Sequence, residues 1–497
     1  MFISISLQIL FIQLPKPIDV KQITFKNLRK ENWVVERVHI SPSLSWIITI
    51  TYIYVRLLYR LKLMKILIVE NFWLGGRKLK QSEKLLLNTF SILPTLYTRQ
   101  LASITPKEHS VTVVDERYSD IDFEEKYDIV LINFNFSSVS RAYEIADTFR
   151  QKDTPVVLSG WYPSVMSEEA KQHADSVMIG RNEINWLDLL DDFKEDKLKP
   201  SYGPKKYDGS VKIPPANVEL PGIVLTGAVE ATRGCPYGCE FCPEANMPGG
   251  PQYFTRPIDD VVDEIKSIPQ RTVMFYDNSL TINTDYSKSL FKKMKGLNKK
   301  FFCNGNSDAL AHDKELVRLS KEAGCVSWLV GFESVSQKTI DEIGKTTNNV
   351  QEYIQAVENI HDHKMAVIGS FIFGFDTDTK DVFDETLKMI KELKIDVADF
   401  CILTPLLGTP LFDRLDKEGR ILTKDWSKYD MKNVVFTPKH MTPEELLQGV
   451  RRMYSEFYST PFTIQRIVKS LKLGLYPFFT VFTRNFIANM NRRLLYR

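Results

Sequence analysis

Three of the six cysteines lie together in one short segment with the spacing C-x3-C-x2-C: Cys235, Cys239 and Cys242. The segment is predicted to be a loop, because glycine and proline interrupt it at Gly234, Pro236, Gly238 and Pro243. A loop can fold back and direct three thiolates toward one point. Because soft thiolate ligands select zinc and iron–sulfur clusters, the segment predicts a metal centre.

The number of thiolates indicates which metal centre to expect. A closed zinc site or an ordinary cluster site uses four ligands, but the segment contains no fourth cysteine and no histidine. The remaining cysteines are single and distant in sequence: Cys303, Cys325 and Cys401. A [4Fe–4S] cluster on three cysteines leaves one iron open, and an open position is typical of a catalytic metal. A zinc loop and three unrelated thiols are the alternatives.

The cysteine loop resembles that of the radical S-adenosylmethionine (SAM) enzymes. The resemblance implies that Cys235, Cys239 and Cys242 hold a [4Fe–4S] cluster whose open iron chelates the amino and carboxylate groups of SAM. In that family, an electron from the cluster cleaves SAM to a 5′-deoxyadenosyl radical. Phe241 matches the aromatic position that packs against the adenine.

Composition places limits on the function. A chain of 497 residues with 43% hydrophobic and 26% charged residues is typical of a soluble globular protein with two to four domains. The net charge of +3 does not indicate nucleic-acid binding. Because three of the six cysteines are assigned to metal, we expect a reducing compartment and a cytoplasmic enzyme.

Residues 1–63 are predicted to be an extension that is not part of the fold. Their apolar run from Trp46 to Val55 is too short to span a bilayer. The sequence from Met64, MKILIVE, looks like a protein start that leads directly into a strand. The alternative is an extension that lies on a membrane surface.

Residues 64–195 alternate between short apolar strands and helices. Strands are predicted at 65–70, 110–116, 127–134, 155–160 and 176–180, and helices at 96–104, 140–151, 167–174 and 185–193. This alternation predicts a doubly wound, Rossmann-like α/β domain with ligands at the carboxyl ends of the strands.

In its place before a radical SAM loop, this domain resembles the cobalamin-binding domain of B12-dependent radical SAM enzymes. Phe72 stands where the wider family has a cobalt-ligating histidine, so the resemblance implies cobalamin without a protein histidine ligand. Ser138 and Gly160, after the third and fourth strands, are the expected cofactor contacts. A remnant domain without cofactor is the alternative.

A linker rich in proline, glycine and lysine is expected at 196–222. Residues 223–425 then repeat the strand–helix pattern and predict a partial (β/α)6 TIM-type barrel whose catalytic face lies at the carboxyl ends of the strands. Its strands are predicted at 271–278, 299–306, 325–334, 365–375 and 397–405. Single helices are predicted at 256–268, 285–297, 314–324 and 381–393, and a pair of helices over 336–363.

The ends of these strands match the SAM-binding positions of the radical SAM family. By that resemblance, the cofactor contacts are Asp277, Asn278, Asn306, Glu333, Ser334, Gly374 and Thr404. Taken singly, each residue could equally be a cap or turn residue at the end of a strand.

Residues 426–497 are predicted to form a helical extension that contains a capping box of Thr442 and Glu445. From Thr463 to Arg497 the chain has no acidic residue, and basic residues alternate with aromatic and aliphatic ones. Such a segment is typical of membrane-surface helices, and Pro477 is predicted to divide it in two. A helix packed on the barrel is an equal alternative, and nucleic-acid binding a weaker one.

The favoured function is a radical SAM enzyme that performs B12-dependent methylation of an unactivated carbon on a small-molecule or lipid substrate. The expected partners are a reductant such as ferredoxin or flavodoxin and, through the tail, the inner membrane face; nucleic acid is not expected. The alternatives are a cobalamin-free radical SAM enzyme that closes rings or forms other C–C bonds, and a non-catalytic iron–sulfur protein.

Overall fold

The computed structural model describes residues 63–71, 95–180, 183–205, 225–248 and 253–495. All of them belong to one compact unit. The expectations for residues 1–62, and those for Phe72 and Trp73, lie outside the described residues. Within the described ranges, no helix is long and apolar enough to cross a membrane.

The amino-terminal half is built on a parallel sheet that has six strands among the described residues, in the order β2-β1-β3-β4-β5-β6. The strands are β1 (Lys65–Asn71), β2 (Ser110–Asp115), β3 (Ile129–Phe134), β4 (Val156–Ser159), β5 (Ser176–Met178) and β6 (Ser201–Tyr202). The helices are α1 (Tyr97–Ile104), α2 (Val139–Arg150), α3 (Trp161–Val165), α4 (Ser167–Ala170) and α5 (Glu183–Lys194). The central strands are apolar throughout because helices cover both faces of the sheet.

Two features of this sheet differ from the sequence prediction. The single helix predicted at 167–174 is a pair of short helices, α3 and α4. Strand β6 lies inside the stretch predicted as a linker, because Ser201 and Tyr202 pair with β5 and complete the edge of the sheet.

The position of β1 between β2 and β3 determines where a ligand can bind. The chain crosses to one side of β1 to form β2 and to the other side to form β3. Connections that leave in opposite directions open a crevice at the carboxyl ends of the two neighbouring strands. Here that crevice lies between Asn71 at the end of β1 and Phe134 at the end of β3.

The second half is a parallel, open sheet with six strands among the described residues, in the order β14-β13-β12-β11-β10-β7. These strands are β7 (Thr226–Val229), β10 (Thr272–Phe275), β11 (Lys300–Gly305), β12 (Cys325–Glu333), β13 (Ala366–Phe373) and β14 (Val397–Ile402). A short antiparallel pair, β8 (Thr232–Arg233) and β9 (Phe254–Thr255), flanks the cysteine loop. The fold is the partial TIM-type barrel that the sequence predicted.

Helices cover the outer face of this sheet. They are α6 (Pro243–Asn246), α7 (Ile258–Ser267), α8 (Thr284–Met294), α9 (Ser307–His312), α10 (Lys314–Ala323), α11 (Gln337–Glu342), α12 (Tyr353–Asp362), α13 (Val382–Leu393) and α14 (Pro410–Lys417). The outward side chains of the strands pack against the helices; Phe332 of β12, for example, contacts Tyr353 of α12. The opposite side chains of the strands are half-buried and line the lumen of the barrel.

The carboxyl-terminal region consists of α15 (Pro443–Phe457), α16 (Thr460–Ser470) and α17 (Leu475–Leu495). The capping box predicted at Thr442 and Glu445 is present at the start of α15. The predicted break at Pro477 is wrong, since Pro477 lies in the first turn of α17, where its missing N–H costs no helical hydrogen bond. The chain breaks instead near Gly474, which has a φ of 99°.

Helix α17 runs across the amino-terminal end of the barrel strands. Arg271 and Lys300, next to or at the starts of β10 and β11, lie 5.5 and 5.4 Å from the Tyr476 ring. The Asn485 side chain donates a 3.0 Å hydrogen bond to the carbonyl of Asp396, just before β14. The helix therefore covers the end of the barrel opposite to the cysteine loop.

Candidate active site

The cysteine loop occupies the carboxyl-terminal side of the barrel. It follows β7 and β8 directly, so its position is determined by the edge of the sheet. Cys239 is buried and Cys235 and Cys242 are half-buried. Among the described residues, no group of three or more histidine, cysteine or acidic side chains is arranged around a single metal ion. A [4Fe–4S] cluster offers a different iron to each cysteine, so its thiolates need not meet at one ion.

Hydrogen bonds to the backbone hold the loop in place. Asn246 in α6 donates from its side chain to the carbonyls of Cys239 and Cys242, at 3.2 and 2.8 Å. The N–H of Glu240 donates to Ile343, and the carbonyl of Glu240 accepts from Leu411 in α14. The loop is therefore anchored both to its own helix and to two segments that follow it by more than a hundred residues.

Burial and a nearby lysine act in opposite directions on the ionisation of the thiols. Burial raises the pKa of all three thiols, that of Cys242 to about 11. The positive charge of Lys345 acts in the opposite direction at Cys235 and Cys239. A cationic cluster iron offsets the cost of burying thiolates, because metal coordination deprotonates the ligand thiol outright.

Glu333 and Lys345 form a partly buried ion pair beside this loop. Their side chains lie 2.8 Å apart and are 9% and 16% exposed. Burial opposes the charge of Lys345, but the attraction of Glu333 outweighs it and raises the lysine pKa. Glu333 has a φ of 60°, a conformation that costs energy for a residue with a side chain. A β-bulge between Gly331 and Glu333 accompanies this strained backbone.

Gly331 is required by this arrangement. A Cβ atom at this position would lie 2.4 Å from Oε1 of Glu333 and 3.2 Å from Nζ of Lys345. Asn348 completes the support by donating to the carbonyls of Gly331 and Phe332 at 2.9 and 3.0 Å. The strand-end pattern predicted Glu333, but no pattern in the sequence marks Lys345 and Asn348, which follow α11 in a turn.

Asp277 has a different environment from the one predicted. It is fully buried, and its carboxylate accepts hydrogen bonds from the backbone of Ala231 and from the backbone and hydroxyl of Thr232. Burial raises the pKa of Asp277 to about 7, even though these donors act against the rise. In this structure Asp277 therefore positions the segment that leads into the cysteine loop and does not face an open cavity.

The other predicted contacts lie along the same end of the barrel. Asn278 donates to Glu244 at 3.3 Å, and Asn306 bonds the phenol of Tyr237 inside the cysteine loop. Ser334 and Thr404 are buried. The hydroxyl of Ser334 accepts from the N–H of Ser336, and that of Thr404 donates to the carbonyl of Ile402. Asn278 and Asn306 thus touch the loop, whereas the two hydroxyls make local bonds.

Phe241 and Gly374 both lie next to Phe375 at this end of the barrel. The ring of Phe241 makes an edge contact with Phe375, with centroids 6.0 Å apart. Gly374 has a φ of 107°, and a Cβ atom there would lie 2.8 Å from Leu446 of α15. A cavity of about 250 Å³ adjoins this pair and is lined by Glu240, Phe375, Leu403 and Arg414, among others.

A second polar cluster lies at the crevice of the amino-terminal sheet. Glu70 accepts from the Asn133 amide at 3.1 Å. Burial and the neighbouring Asp115 raise the pKa of Glu70 to about 7. Asn71 is buried and donates to the carbonyl of Ser138, while its Oδ1 has no hydrogen-bond partner among the described residues.

Of the two contacts predicted here, Ser138 lies at this crevice and is buried. Gly160, with a φ of 117°, packs against the end of β3, where an added Cβ atom would lie 2.0 Å from the carbonyl oxygen of Phe134. The packing of the backbone therefore requires glycine at this position whether or not a cofactor binds.

The three remaining cysteines lie apart from the loop. Cys303 and Cys325 are buried on neighbouring strands, β11 and β12, and burial raises the pKa of Cys303. Cys401 lies on β14 and faces the lumen. The expectation that three cysteines form the metal site alone is consistent with this separation.

Comparison with known proteins identifies the class. Residues 229–390 match the radical SAM superfamily, and residues 409–484 match a domain of unknown function. The first match spans the cysteine loop and most of the barrel strands. The barrel of this chain therefore matches the radical SAM superfamily, and the chain is an enzyme.

Its relatives include methyltransferases. Bacteriochlorophyllide d C-12(1)-methyltransferase of Chlorobaculum tepidum is 29% identical over 408 residues, which cover 78% of this chain and 88% of the relative. The hopanoid C-2 methylase of Rhodopseudomonas palustris is 24% identical over 412 residues, which cover 76% of this chain and 77% of the relative. These relatives align with both halves of the chain.

Two solved structures share the fold. The cobalamin-dependent radical SAM enzyme OxsB, with aqua-cobalamin bound, has a TM-score of 0.64 at 15% identity, covering 88% of this chain and 74% of that chain. The radical SAM methyltransferase TsrM from Kitasatospora setae, with cobalamin and a [4Fe–4S] cluster bound, has a TM-score of 0.56 at 16% identity, covering 72% and 78%. At these identities the likeness shows the fold alone.

Proposed function

We propose that this enzyme cleaves SAM reductively at a [4Fe–4S] cluster held by Cys235, Cys239 and Cys242 and methylates an unactivated carbon with the help of cobalamin. The observation that carries the proposal is the position of the three-cysteine loop, at the carboxyl-terminal side of an open barrel in a chain that also has a doubly wound domain. The C–H bond of an unactivated carbon has no useful pKa, so acid–base catalysis cannot activate it.

The donor set fits the cluster. Three thiols in one anchored loop supply three ligands, and the other cysteines of the described chain lie elsewhere. When bound, the cluster supplies the electron that SAM cleavage requires. The residues around the loop partly bury the thiols and anchor the loop through hydrogen bonds to its backbone.

The polar residues beside the loop fit a zwitterionic ligand such as SAM. Asn278 and Asn306 contact the loop, and Glu333 and Lys345 place one negative and one positive charge next to it. We propose that these side chains orient the methionyl part, and that Phe241 and Phe375 line the adenine side. Asp277, Ser334, Gly374 and Thr404 then support this site through the backbone.

The crevice of the amino-terminal sheet fits a corrin held by packing and hydrogen bonds. A corrin carries many amide side chains, and the crevice offers Asn133, Ser138 and the unpartnered Oδ1 of Asn71. The described part of the crevice contains no histidine, so cobalamin would bind here without a histidine on cobalt. When bound, cobalamin supplies the methyl group.

The lumen of the barrel fits a substrate with a large apolar surface. Among its half-buried, inward-facing side chains are Met274, Phe302, Leu329 and Ile372. The relatives named above act on a tetrapyrrole and on a hopanoid, both bulky and largely apolar. We propose a substrate of this kind, either a tetrapyrrole or a polycyclic lipid, with ferredoxin or flavodoxin as the reductant.

Formation of 5′-deoxyadenosine tests the radical step. Reconstituted, reduced protein incubated with SAM is expected to release 5′-deoxyadenosine, and Cys239→Ala is expected to lose both this product and the visible absorbance of the cluster. Cys325→Ala, at a buried cysteine outside the loop, is the matched control and should keep both. Background levels of 5′-deoxyadenosine in the wild type would refute the proposal.

Corrin binding is tested separately. Protein produced with hydroxocobalamin is expected to carry a corrin whose spectrum shows no histidine ligation. If the protein binds no corrin, the methylation proposal fails, and a cobalamin-free reaction such as ring closure takes its place.

The carboxyl-terminal tail is also proposed to attach the enzyme to a membrane surface as a peripheral protein. Its basic and apolar residues support this proposal, and deletion from Thr463 should abolish binding to anionic liposomes. Unchanged binding after the deletion would refute it.

A further inference from the structure

Most of the exposed large apolar side chains of the described chain lie on or next to its last two helices. Nine of the fourteen exposed large hydrophobic side chains fall between Phe462 and Ile487. Monomeric soluble proteins rarely expose so many apolar side chains close together unless the surface binds something.

Each helix presents these side chains along one face. On α16 and the turn directly after it they include Ile464, Val468 and Leu471, at the spacing i, i+4, i+7. On α17 they include Phe479, Phe482 and Phe486, at the spacing i, i+3, i+7. The two helices form an antiparallel hairpin in which Arg466 donates to the Asn485 side chain. We call this pair of helices, residues 460–495, the hairpin.

The apolar face of α17 points away from the barrel. Val481 and Asn485 are fully buried, and Asn485 reaches the carbonyl of Asp396 at the amino-terminal end of the barrel. Phe479 and Phe486, which are 51% and 53% exposed, lie on the other side of the same helix. The exposed face therefore lies at the amino-terminal end of the barrel, which α17 closes. The cysteine loop lies at the opposite end.

The charge of the hairpin indicates what covers this face. Lys469 and Lys472 are exposed, and no acidic residue follows Glu456 in the sequence. An exposed apolar face on two helices that carry lysines and no acidic residue matches the surface of an anionic bilayer, where aromatic side chains insert among the headgroups and lysines approach the lipid phosphates.

We infer that the hairpin docks on an anionic bilayer and holds the barrel with its closed end toward the membrane and its cysteine loop toward water. The inference deepens the proposed membrane attachment by assigning the contact face and the orientation. It follows that the substrate enters the lumen from the aqueous side and not directly from the bilayer beneath the hairpin.

The contact face is tested with the full-length protein and phosphatidylglycerol-containing vesicles. The triple variant Phe479→Gln, Phe482→Gln, Phe486→Gln is expected to bind about a hundredfold more weakly, since each phenyl ring removed from water contributes to partitioning. Leu422→Gln is the matched control, because Leu422 is 53% exposed but lies far along the chain from the hairpin. Wild-type affinity in the triple variant would refute the inference.

The role of charge is tested at the two lysines. Lys469→Gln with Lys472→Gln is expected to weaken binding by about fivefold per lysine on anionic vesicles and to leave binding to neutral vesicles unchanged. Lys314→Gln, at an exposed lysine of α10, should change neither. Equal loss on both kinds of vesicle would contradict an anionic lipid partner.

The orientation is tested by hydrogen–deuterium exchange of the vesicle-bound protein. Protection is expected in α16 and α17. It is not expected in the cysteine loop or in the turn between β14 and α14. Protection at the loop end, or a dimer that buries the hairpin in the absence of vesicles, would overturn the inference. Because 5′-deoxyadenosine formation is measured without vesicles, failure of this inference is distinguishable from failure of the proposed chemistry.

Discussion

Glu70 shows how a single carboxyl group in the crevice couples folding to pH. Its pKa is raised from 4.5 to about 7 in the folded protein. A carboxyl group whose folded pKa is the higher one stabilises the fold below its unfolded pKa, and this contribution is lost as the pH rises from about 4.5 to about 7.

Glu70→Gln should therefore remove the loss of stability that the wild type shows as the pH rises. Relative to wild type, the free energy of unfolding of the variant is expected to rise between pH 5 and pH 7.5 by about 1–2 kcal/mol, measured by urea denaturation. The exposed Glu392→Gln provides the control and should give a flat difference. A flat difference for Glu70→Gln as well would contradict the raised pKa.

Removing only one partner of the Glu333–Lys345 ion pair is predicted to lower the free energy of unfolding. Lys345→Met leaves Glu333 as a poorly compensated charge and is expected to lower the free energy of unfolding by about 3 kcal/mol. The double variant Glu333→Gln, Lys345→Met should recover most of this loss, because it leaves no unpaired charge. If the double variant is as unstable as the single one, packing of the lysine stem is the main contribution.

At the scale of elements, the connection between β7 and β8 decides where the cysteine loop begins. The carboxylate of Asp277, just after β10, accepts hydrogen bonds from Ala231 and Thr232. The neighbouring strand thus fixes the start of the loop through one buried side chain. We propose that Asp277 acts as a positioning residue through these hydrogen bonds.

Asp277→Asn replaces one of these acceptor oxygens with an N–H2 group. We expect a loss of about 1–3 kcal/mol in the free energy of unfolding, since buried backbone donors lose their partner, together with reduced iron content after reconstitution. Asp285→Asn, whose side chain is 94% exposed, is the control. Wild-type iron content in Asp277→Asn would argue against a positioning role.

At the scale of the whole molecule, Arg233 joins the two halves of the chain. It pairs with Glu230 in its own half and with Glu183 of α5, each at 2.5 Å, and donates to Gln100 of α1. Arg233 lies two residues before Cys235, so the same guanidinium connects the amino-terminal sheet to the cysteine loop. The two halves that carry the candidate cofactor sites are therefore joined by a buried ion-pair cluster.

Arg233→Met leaves two buried glutamates without their cation. The expected loss in the free energy of unfolding is about 3–5 kcal/mol. Arg318→Met, which removes an exposed pair with Glu322, should cost less than about 1 kcal/mol. Similar small losses in both variants would show that the Arg233 pairs contribute little to joining the halves.

Much of the fold follows from local sequence patterns. The short apolar runs between amphipathic helices predicted both parallel sheets, because strand and helix periods are local properties. The cysteine spacing, the capping box at Thr442 and the glycine stop at Gly324 are equally local, and the structure contains each of them. Strand β6 and the break at Gly474 were missed because pairing with β5 and packing under the barrel are long-range effects.

By itself, the sequence indicated the kind of chemistry, because three thiols at a fixed spacing in one loop predict a metal centre without reference to any distant residue. Only the tertiary structure decided which residues support that chemistry. Lys345 and Asn348 reach Glu333 and its strand from a separate turn, Asp277 turns inward to the backbone, and the hairpin closes the end of the barrel opposite to the loop. Contacts between distant segments depend on how strands and helices pack, and no spacing along the chain records that packing.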